Sequence, residues 1–143
     1  MSSTGALTPI STQVASGGRG ACWLVVSHDG RFAFVTNTLS TTPALGPPTG
    51  IGTGAGGLTT YSVGSGGALT RLSQTDLGPG TPTDMAISAD GRFLYVSVPF
   101  VPPPPGTAPT SHIDVFAING NGSLTAITQG ASLPGFTNGL AAN

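Results

Sequence analysis

The stretch SHDGRFAFVTN, residues 27–37, recurs 61 residues later as SADGRFLYVSV, residues 88–98. In both copies an Asp-Gly pair precedes an apolar run rich in β-branched and aromatic residues. A repeated phrase of this kind indicates a repeat architecture. An Asp-Gly pair between apolar runs predicts a β-hairpin, here with a type I′ turn in which both central residues have positive φ.

A second pair of matching segments extends each copy. LTTYSVGSGGALTRLSQ, which begins at Leu58, matches IDVFAINGNGSLTAITQ, which begins at Ile113, at a spacing of 55 residues. Unequal loops inside the two copies absorb the difference between the spacings. Each copy therefore predicts four short strands, and we place the two units at about 21–74 and 82–129. Partial matches predict flanking strands at 5–10 and 136–142.

The predicted fold class is all-β. Four-stranded antiparallel units in tandem are typical of the blades of a β-propeller, whose strands are packed on both faces by neighbouring blades. The whole chain, 1–143, is therefore expected to form a partial β-propeller of about two and a half blades. Blade faces left uncovered at its ends would expose apolar surface. We expect self-association through these faces, or their covering by missing N-terminal blades.

The charge content limits the classes of partner. Only 6% of the residues are charged, with four Arg, five Asp, no Lys and no Glu. A nucleic-acid site needs several cations along the phosphates, so no nucleic-acid partner is expected. No apolar run reaches the roughly 18 residues of a membrane span, and no signal peptide is visible at the start. We expect no membrane partner and a cytoplasmic location by default, with an exported parent protein as the open alternative.

Cys22 is the only cysteine. A single cysteine excludes an intramolecular disulfide and a cysteine-rich metal site. We expect Cys22 to be a small buried apolar residue.

The two DGR-F hairpins, each followed by a Y/F-x-V/I strand and then by G-x-L-T, resemble the YVTN-type propellers of the 6-phosphogluconolactonase-like lactonase family, which includes 3-carboxymuconate cyclases. The resemblance runs from residue 5 to about residue 142. It implies hydrolysis of a sugar-acid lactone such as 6-phosphogluconolactone, with no obligatory metal or cofactor. That family forms closed rings of seven blades, so the resemblance also implies that this chain is a C-terminal portion of such a ring.

In propellers of this kind, sites gather at one mouth of the central channel. The predicted strand directions place the Asp-Gly hairpins at the opposite end, which gives His28 and the charged residues beside it a structural role. On the mouth face we expect two catalytic residues, Asp84 as a general base and His112 as a proton exchanger. The expected substrate-binding residues are Arg19, whose guanidinium suits a carboxylate, with Asn37, Thr83 and Asn138; Trp23 is placed on the same face.

Each of these roles has a structural alternative. Arg19 and Asp84 could pair only with each other or cap loops, and His112 could cap the third strand at the outer edge of its blade. Two alternatives to a lactonase also stay open. One is a non-catalytic propeller that serves as a binding or scaffold module, and the other is an inactive truncated fragment.

Overall fold

The computed structural model describes residues 5–6, 8–11, 13–39, 55–101, 105–108, 110–130 and 132–142. In this part of the chain two antiparallel sheets follow one another, each with its first four strands in sequential order. Blade 1 consists of β1 (Arg19–Val26), β2 (Phe32–Leu39), β3 (Ala55–Val63) and β4 (Leu69–Pro79). Blade 2 consists of β5 (Asp84–Ile87), β6 (Phe93–Val101), β7 (Thr110–Ile118) and β8 (Leu124–Gln129), and the short β9 (Leu133–Pro134) pairs with β7.

The Asp-Gly hairpins are present, but the predicted turn type is wrong. Gly30 has a φ of +71°, whereas Asp29 is not among the described residues with positive φ. The connection has four residues, since the Ser27 amide donates to the Phe32 carbonyl at 2.9 Å. Asp29 Oδ1 accepts bonds from the Ser27 hydroxyl at 2.6 Å and the Arg31 amide at 3.0 Å. Because these bonds close the loop, only the glycine needs the left-handed conformation.

The main core lies between the two blades. Phe32, Phe34 and Leu58 of blade 1 pack against four buried side chains of blade 2. Successive side chains along a strand point to opposite faces of the sheet, and partners in register share a face. Every second residue of β2 and β6 therefore points into the core. The four residues of blade 2 are Met85, Leu94, Val96 and Phe116.

Each blade has a second face, turned away from the other blade. On the free face of blade 1, Ala33, Val35 and Tyr61 form a smaller cluster that Val14 partly covers. The free face of blade 2 carries Tyr95, which is paired with Ala86 and Val115. The two faces follow from the strict alternation of side chains along β2 and β6.

The predicted flanking strands are not formed. Residues 136–142 and the described residues within 5–10 have no strand conformation. An isolated strand leaves its backbone amides and carbonyls without a ladder partner, and the described part of residues 136–142 has no strand paired with it. The C-terminal segment is held instead by single bonds, since the Phe136 amide donates to the Pro99 carbonyl at 2.6 Å and the Leu140 amide to Asp84 Oδ2 at 2.8 Å.

The expectation for Cys22 is also wrong, because its side chain is exposed. It lies on β1, the inner edge strand of blade 1, next to Trp23, which is 47% exposed. Burial was expected because a free cysteine usually behaves as a small apolar residue, and this part of blade 1 is not covered in the described chain. Within the described residues, no helix has the length and apolar character needed to cross a bilayer.

Candidate functional site

The strands of both blades share two ends. We call the mouth end the one at which β1 and β5 begin, and the hairpin end the one that holds the two Asp-Gly turns. The pairings Arg19 with Leu39 and Asp84 with Ser97 place the start of each inner strand beside the end of the next strand. The residues predicted for the mouth and those predicted for the hairpins therefore lie at opposite ends of the sheets, as expected.

The charged groups of the hairpin end have a structural role. Arg31 Nε lies 2.9 Å from Asp29 Oδ2, and Arg31 Nη2 donates to the Gly120 carbonyl of blade 2 at 2.6 Å. The bond from Ser27 is the main cause that lowers the pKa of Asp29, and the bond from Ser88 does the same for Asp90. These contacts close the turns and join the blades, so this end is not the candidate site.

Three of the six predicted site residues come together at the start of β5. Thr83 Oγ1 donates to Asn138 Oδ1 at 3.1 Å. Asp84 is 8% exposed, and its carboxylate accepts from two backbone amides, that of Met85 at Oδ1 and that of Leu140 at Oδ2, both at 2.8 Å. We call Thr83, Asp84 and Asn138 the rim cluster. Because both oxygens of Asp84 accept backbone bonds, its main effect in this structure is to hold residues 138–140 against β5.

Arg19 lies at the same end of the neighbouring inner strand. It is exposed at the first residue of β1, and β1 and β5 are in contact. No ion pair or hydrogen bond links its guanidinium to a described residue, and the alternative pairing with Asp84 is not formed. An exposed, unpaired guanidinium can bind the carboxylate of a small molecule through two parallel bonds.

Asn37 is at the mouth end but cannot serve as a surface ligand in this conformation. It is fully buried, and its Nδ2 donates to Thr59 Oγ1 at 2.9 Å. A Cβ atom at Gly18 would collide with its side chain, so the segment before β1 covers it closely. Asn37 Oδ1 has no hydrogen-bond partner among the described residues.

His112 is separated from Asp84 by the sheet. Asp84 is in register with Ser97, and Ser97 with Ile113, whereas His112 is in register with Val98. Partners in register share a face and adjacent residues alternate, so Asp84 and His112 project from opposite sides of blade 2. The prediction of a joint catalytic role is therefore not supported by the geometry. His112 lies on the third strand, as the structural alternative proposed.

A residue that the sequence reasoning missed is Asp114, two positions after His112. Both side chains are on the face of β7 toward blade 1, and His112 Nε2 lies 3.3 Å from Asp114 Oδ1. This buried nitrogen has no hydrogen-bond partner among the described residues. Burial raises the pKa of Asp114, and the nearby His112 opposes this only in part. The spacing His-x-Asp on a predicted strand was the available signal, since residues i and i+2 share a face.

The surroundings of His112 form a cleft at the mouth end between the outer strands of the blades. This cleft has a volume of about 320 Å³, and its walls include Leu77 and Pro79 of β4 and Ser111 of β7. It is separate from the rim cluster, which lies on the other face of blade 2. No three His, Cys, Asp or Glu side chains lie together as a metal site in the described ranges.

Comparisons with known proteins agree with this architecture. Residues 1–138 match the family described as lactonase, 7-bladed beta-propeller. The structure of Pseudomonas aeruginosa periplasmic gluconolactonase, PpgL, is similar with a TM-score of 0.56 and 25% sequence identity over 76% of this chain. The match covers 27% of that chain, so this chain spans about a quarter of the length of the solved relative. A search of curated proteins finds no match.

Proposed function

The chain belongs to the lactonase family of seven-bladed β-propellers, and on that basis we propose that it contributes to the hydrolysis of a sugar-acid lactone. The observation that carries this proposal is the family match over residues 1–138. The similar solved structure is that of a protein named a gluconolactonase, which favours a gluconolactone-like substrate.

The reaction adds one water molecule to the ring carbonyl of the lactone. The tetrahedral intermediate expels the ring oxygen, and the products are an open hydroxy carboxylate and a proton. Negative charge develops first on the carbonyl oxygen and then on the carboxylate. Donors aimed at these oxygens stabilise the transition state and bind the product. The arrangement at the mouth end offers such donors beside hydroxyl-binding groups.

We assign roles according to exposure. Arg19 is exposed and unpaired among the described residues, and we place it against the carbonyl oxygen of the lactone and the carboxylate of the product. Thr83 and the exposed Asn138 would bind sugar hydroxyls. Asp84 is a positioning residue, because it holds residues 138–140 and with them the amide of Asn138. Neither the buried Asn37 nor His112 on the opposite face of blade 2 is included in this site.

The direct test is the hydrolysis of D-glucono-δ-lactone by the purified chain, followed by titration of the released acid against the spontaneous rate. We expect saturable hydrolysis above that rate. The variant Arg19→Gln should lower kcat/KM at least about tenfold, because a charge-assisted hydrogen bond contributes about 1.5–3 kcal/mol. The matched control is Arg92→Gln, which removes a guanidinium that is exposed at the hairpin end and should leave kcat/KM unchanged. A folded chain with no rate above the spontaneous one would contradict the proposal.

A non-catalytic binding propeller is the second candidate, and one observation favours it. Both oxygens of Asp84 accept backbone bonds and His112 lies on the other face of the blade, so the two predicted catalytic groups do not meet. A binding module would retain the affinity of the mouth end for a sugar acid and show no turnover. The same preparation separates the two candidates when product binding and hydrolysis are measured side by side.

A further inference from the structure

The contact between the two blades consists of two different halves. Blade 1 contributes Phe32, Phe34 and Leu58. Blade 2 contributes a surface into which these side chains pack, formed by Met85, Leu94, Val96 and Phe116 with Leu124 at its edge. Because the two blades are repeats of one another, residues equivalent to the blade 1 half also occur on the free face of blade 2. Residues equivalent to the blade 2 half occur on the free face of blade 1.

The first half recurs on the free face of blade 2. The 61-residue and 55-residue spacings place Phe93, Tyr95 and Ile113 where blade 1 has Phe32, Phe34 and Leu58. The register agrees, since Tyr95 pairs with Val115 as Phe34 pairs with Thr60. These three side chains are only half-buried. Blade 2 therefore presents two aromatic rings and an isoleucine with no blade against them in the described chain.

The second half recurs on the free face of blade 1. Leu24, Val35, Tyr61 and Leu69 occupy the positions of Met85, Val96, Phe116 and Leu124, in the same order. These four side chains line a groove of about 290 Å³, whose polar surface is small. Leu24 is 52% exposed although it corresponds to the 3% exposed Met85. The groove is the counterpart of the surface that holds Phe32 and Phe34 inside the chain.

We propose that the free face of blade 1 binds the free face of blade 2 of a second copy of this chain. The contact would repeat, between chains, the contact that joins the blades within one chain. It pairs two different surfaces, so it is heterologous and leaves one free face at each end of a dimer. The inference is independent of the proposed lactone hydrolysis.

A polar contact at the hairpin end supports the same docking. Inside the chain, Arg31 lies over the ring of Phe32 at 5.1 Å and donates to the carbonyl of Gly120. Arg92 lies over the ring of Phe93 at 5.4 Å in the same way. Its only ion-pair contact among described residues is Asp90 at 3.8 Å. In the proposed dimer the equivalent acceptor is the carbonyl of Ser65 in the second copy.

The segment before β1 competes for this surface. Inside the chain, the ring of Phe32 lies against Gly122, where a Cβ atom would not fit. The equivalent glycine of blade 1 is Gly67, and there the contact is made by Ile10. Ile10 is still 66% exposed, so it is weakly held. A docking blade would displace Ile10 and also Val14, which packs against the buried Val35 and Tyr61 on the same face.

The test uses two variants, each of which disrupts one of the two surfaces of the proposed contact. Leu24→Asp introduces a charge into the groove, and Tyr95→Asp introduces one among the projecting side chains. The molar mass in solution is measured by light scattering over a range of concentrations. We expect the unmodified chain to grow beyond a monomer with concentration, each variant alone to remain monomeric, and their equimolar mixture to form a 1:1 dimer that grows no further. The mixture restores one intact contact because each variant keeps the half that the other has lost.

Controls separate this result from loss of folding or a general charge effect. Asn121→Asp adds the same charge at the exposed β7–β8 turn and should associate like the unmodified chain. Thermal melts by circular dichroism show whether each variant is folded, and Tyr95→Ser replaces Tyr95→Asp if the latter is not. Ile10→Ser should strengthen association several-fold. An unmodified chain that is folded and monomeric at every concentration, or a mixture that stays monomeric, would overturn the proposal.

Discussion

Asp84 was expected to act as a general base, and in the structure it supports the residues around it. Its side chain is almost fully buried and accepts the amides of Met85 and Leu140. A buried carboxylate that satisfies two backbone donors stabilises the fold, because removing it leaves those donors unpaired. The same contact sets the position of Asn138 beside Thr83. Asp84 thus affects the site through its neighbours.

We predict that Asp84→Asn lowers the free energy of unfolding by about 1–3 kcal/mol, since the amide nitrogen of asparagine cannot accept a bond from the Leu140 or Met85 amide. Urea unfolding followed by tryptophan fluorescence measures this change. The control is Asp76→Asn, because Asp76 is exposed and bonds a single backbone amide, that of Gly78. Equal stability of Asp84→Asn and Asp76→Asn would show that the hydrogen bond from the Leu140 amide to Asp84 adds nothing to the free energy of unfolding.

At the scale of the elements, each hairpin depends on one carboxylate. Asp29 and Asp90 accept the hydroxyl of the serine two residues before and the amide of the arginine two residues after. These bonds stabilise the ionised form and lower the pKa of both carboxyls below the usual 3.8. Each turn is therefore stabilised by an ionised aspartate, and protonation of that carboxylate weakens the turn.

The sign of the pH dependence follows from these shifts. The unfolded chain binds more protons than the folded chain at Asp29 and Asp90, so their stabilising contribution is present above pH 3.8 and is lost as the pH falls through the lower folded pKa. Asp114 has the opposite sign, since its raised pKa makes its contribution decline as the pH rises above 3.8.

We predict that the double variant Asp29→Asn, Asp90→Asn loses less stability than the unmodified chain when the pH is lowered from about 5 to about 3. Asp114→Asn should instead remove a loss of stability that sets in as the pH rises above 3.8. Urea midpoints at several pH values measure both effects. Parallel pH profiles for all three chains would contradict the assignment of these shifts.

The strands could be predicted from the sequence, whereas their faces could not. The repeat predicted β2 and β6 because short apolar runs bounded by turn residues are typical of buried strands. The turn type was missed because Asp29 closes the turn with its side chain. The face on which His112 lies depends on whether Val98 or Ser97 is its partner in β6. A shift of one residue in this pairing moves every side chain of the strand to the opposite face of the sheet. That register depends on the loop between β6 and β7, which the repeat leaves unequal.

The candidate site was predicted in part for the same reason. Position along a strand can be read from the repeat, so Arg19 and Asp84 were correctly placed at the starts of inner strands, whereas their role in a site stays a prediction. The packing of Asn37 beneath Gly18 and the tie from Asp84 to Leu140 are contacts between segments distant in sequence. Such contacts produce no local sequence pattern, so they could not be predicted from the sequence.

At the scale of the whole molecule, the chain is a pair of propeller blades with apolar faces at both ends and polar groups at one mouth. The interblade core stabilises the pair, and the two free faces are the surfaces at which we propose that a second copy binds. The mouth-end groups lie on the inner strands and on the segment after blade 2. Asp84 thus lies at the mouth end of the same face of blade 2 that carries Tyr95 further along the sheet.

The central claim is that a sugar acid binds at the mouth end, and its most direct test is the shift of backbone amide NMR signals on titration with D-gluconate, the product of gluconolactone hydrolysis. The account predicts that shifts concentrate at Arg19–Trp23, at Thr83 and Asp84 and at Asn138–Leu140, with the hairpin residues His28–Arg31 unchanged. Shifts confined to the hairpin end, or none at any concentration, would contradict it.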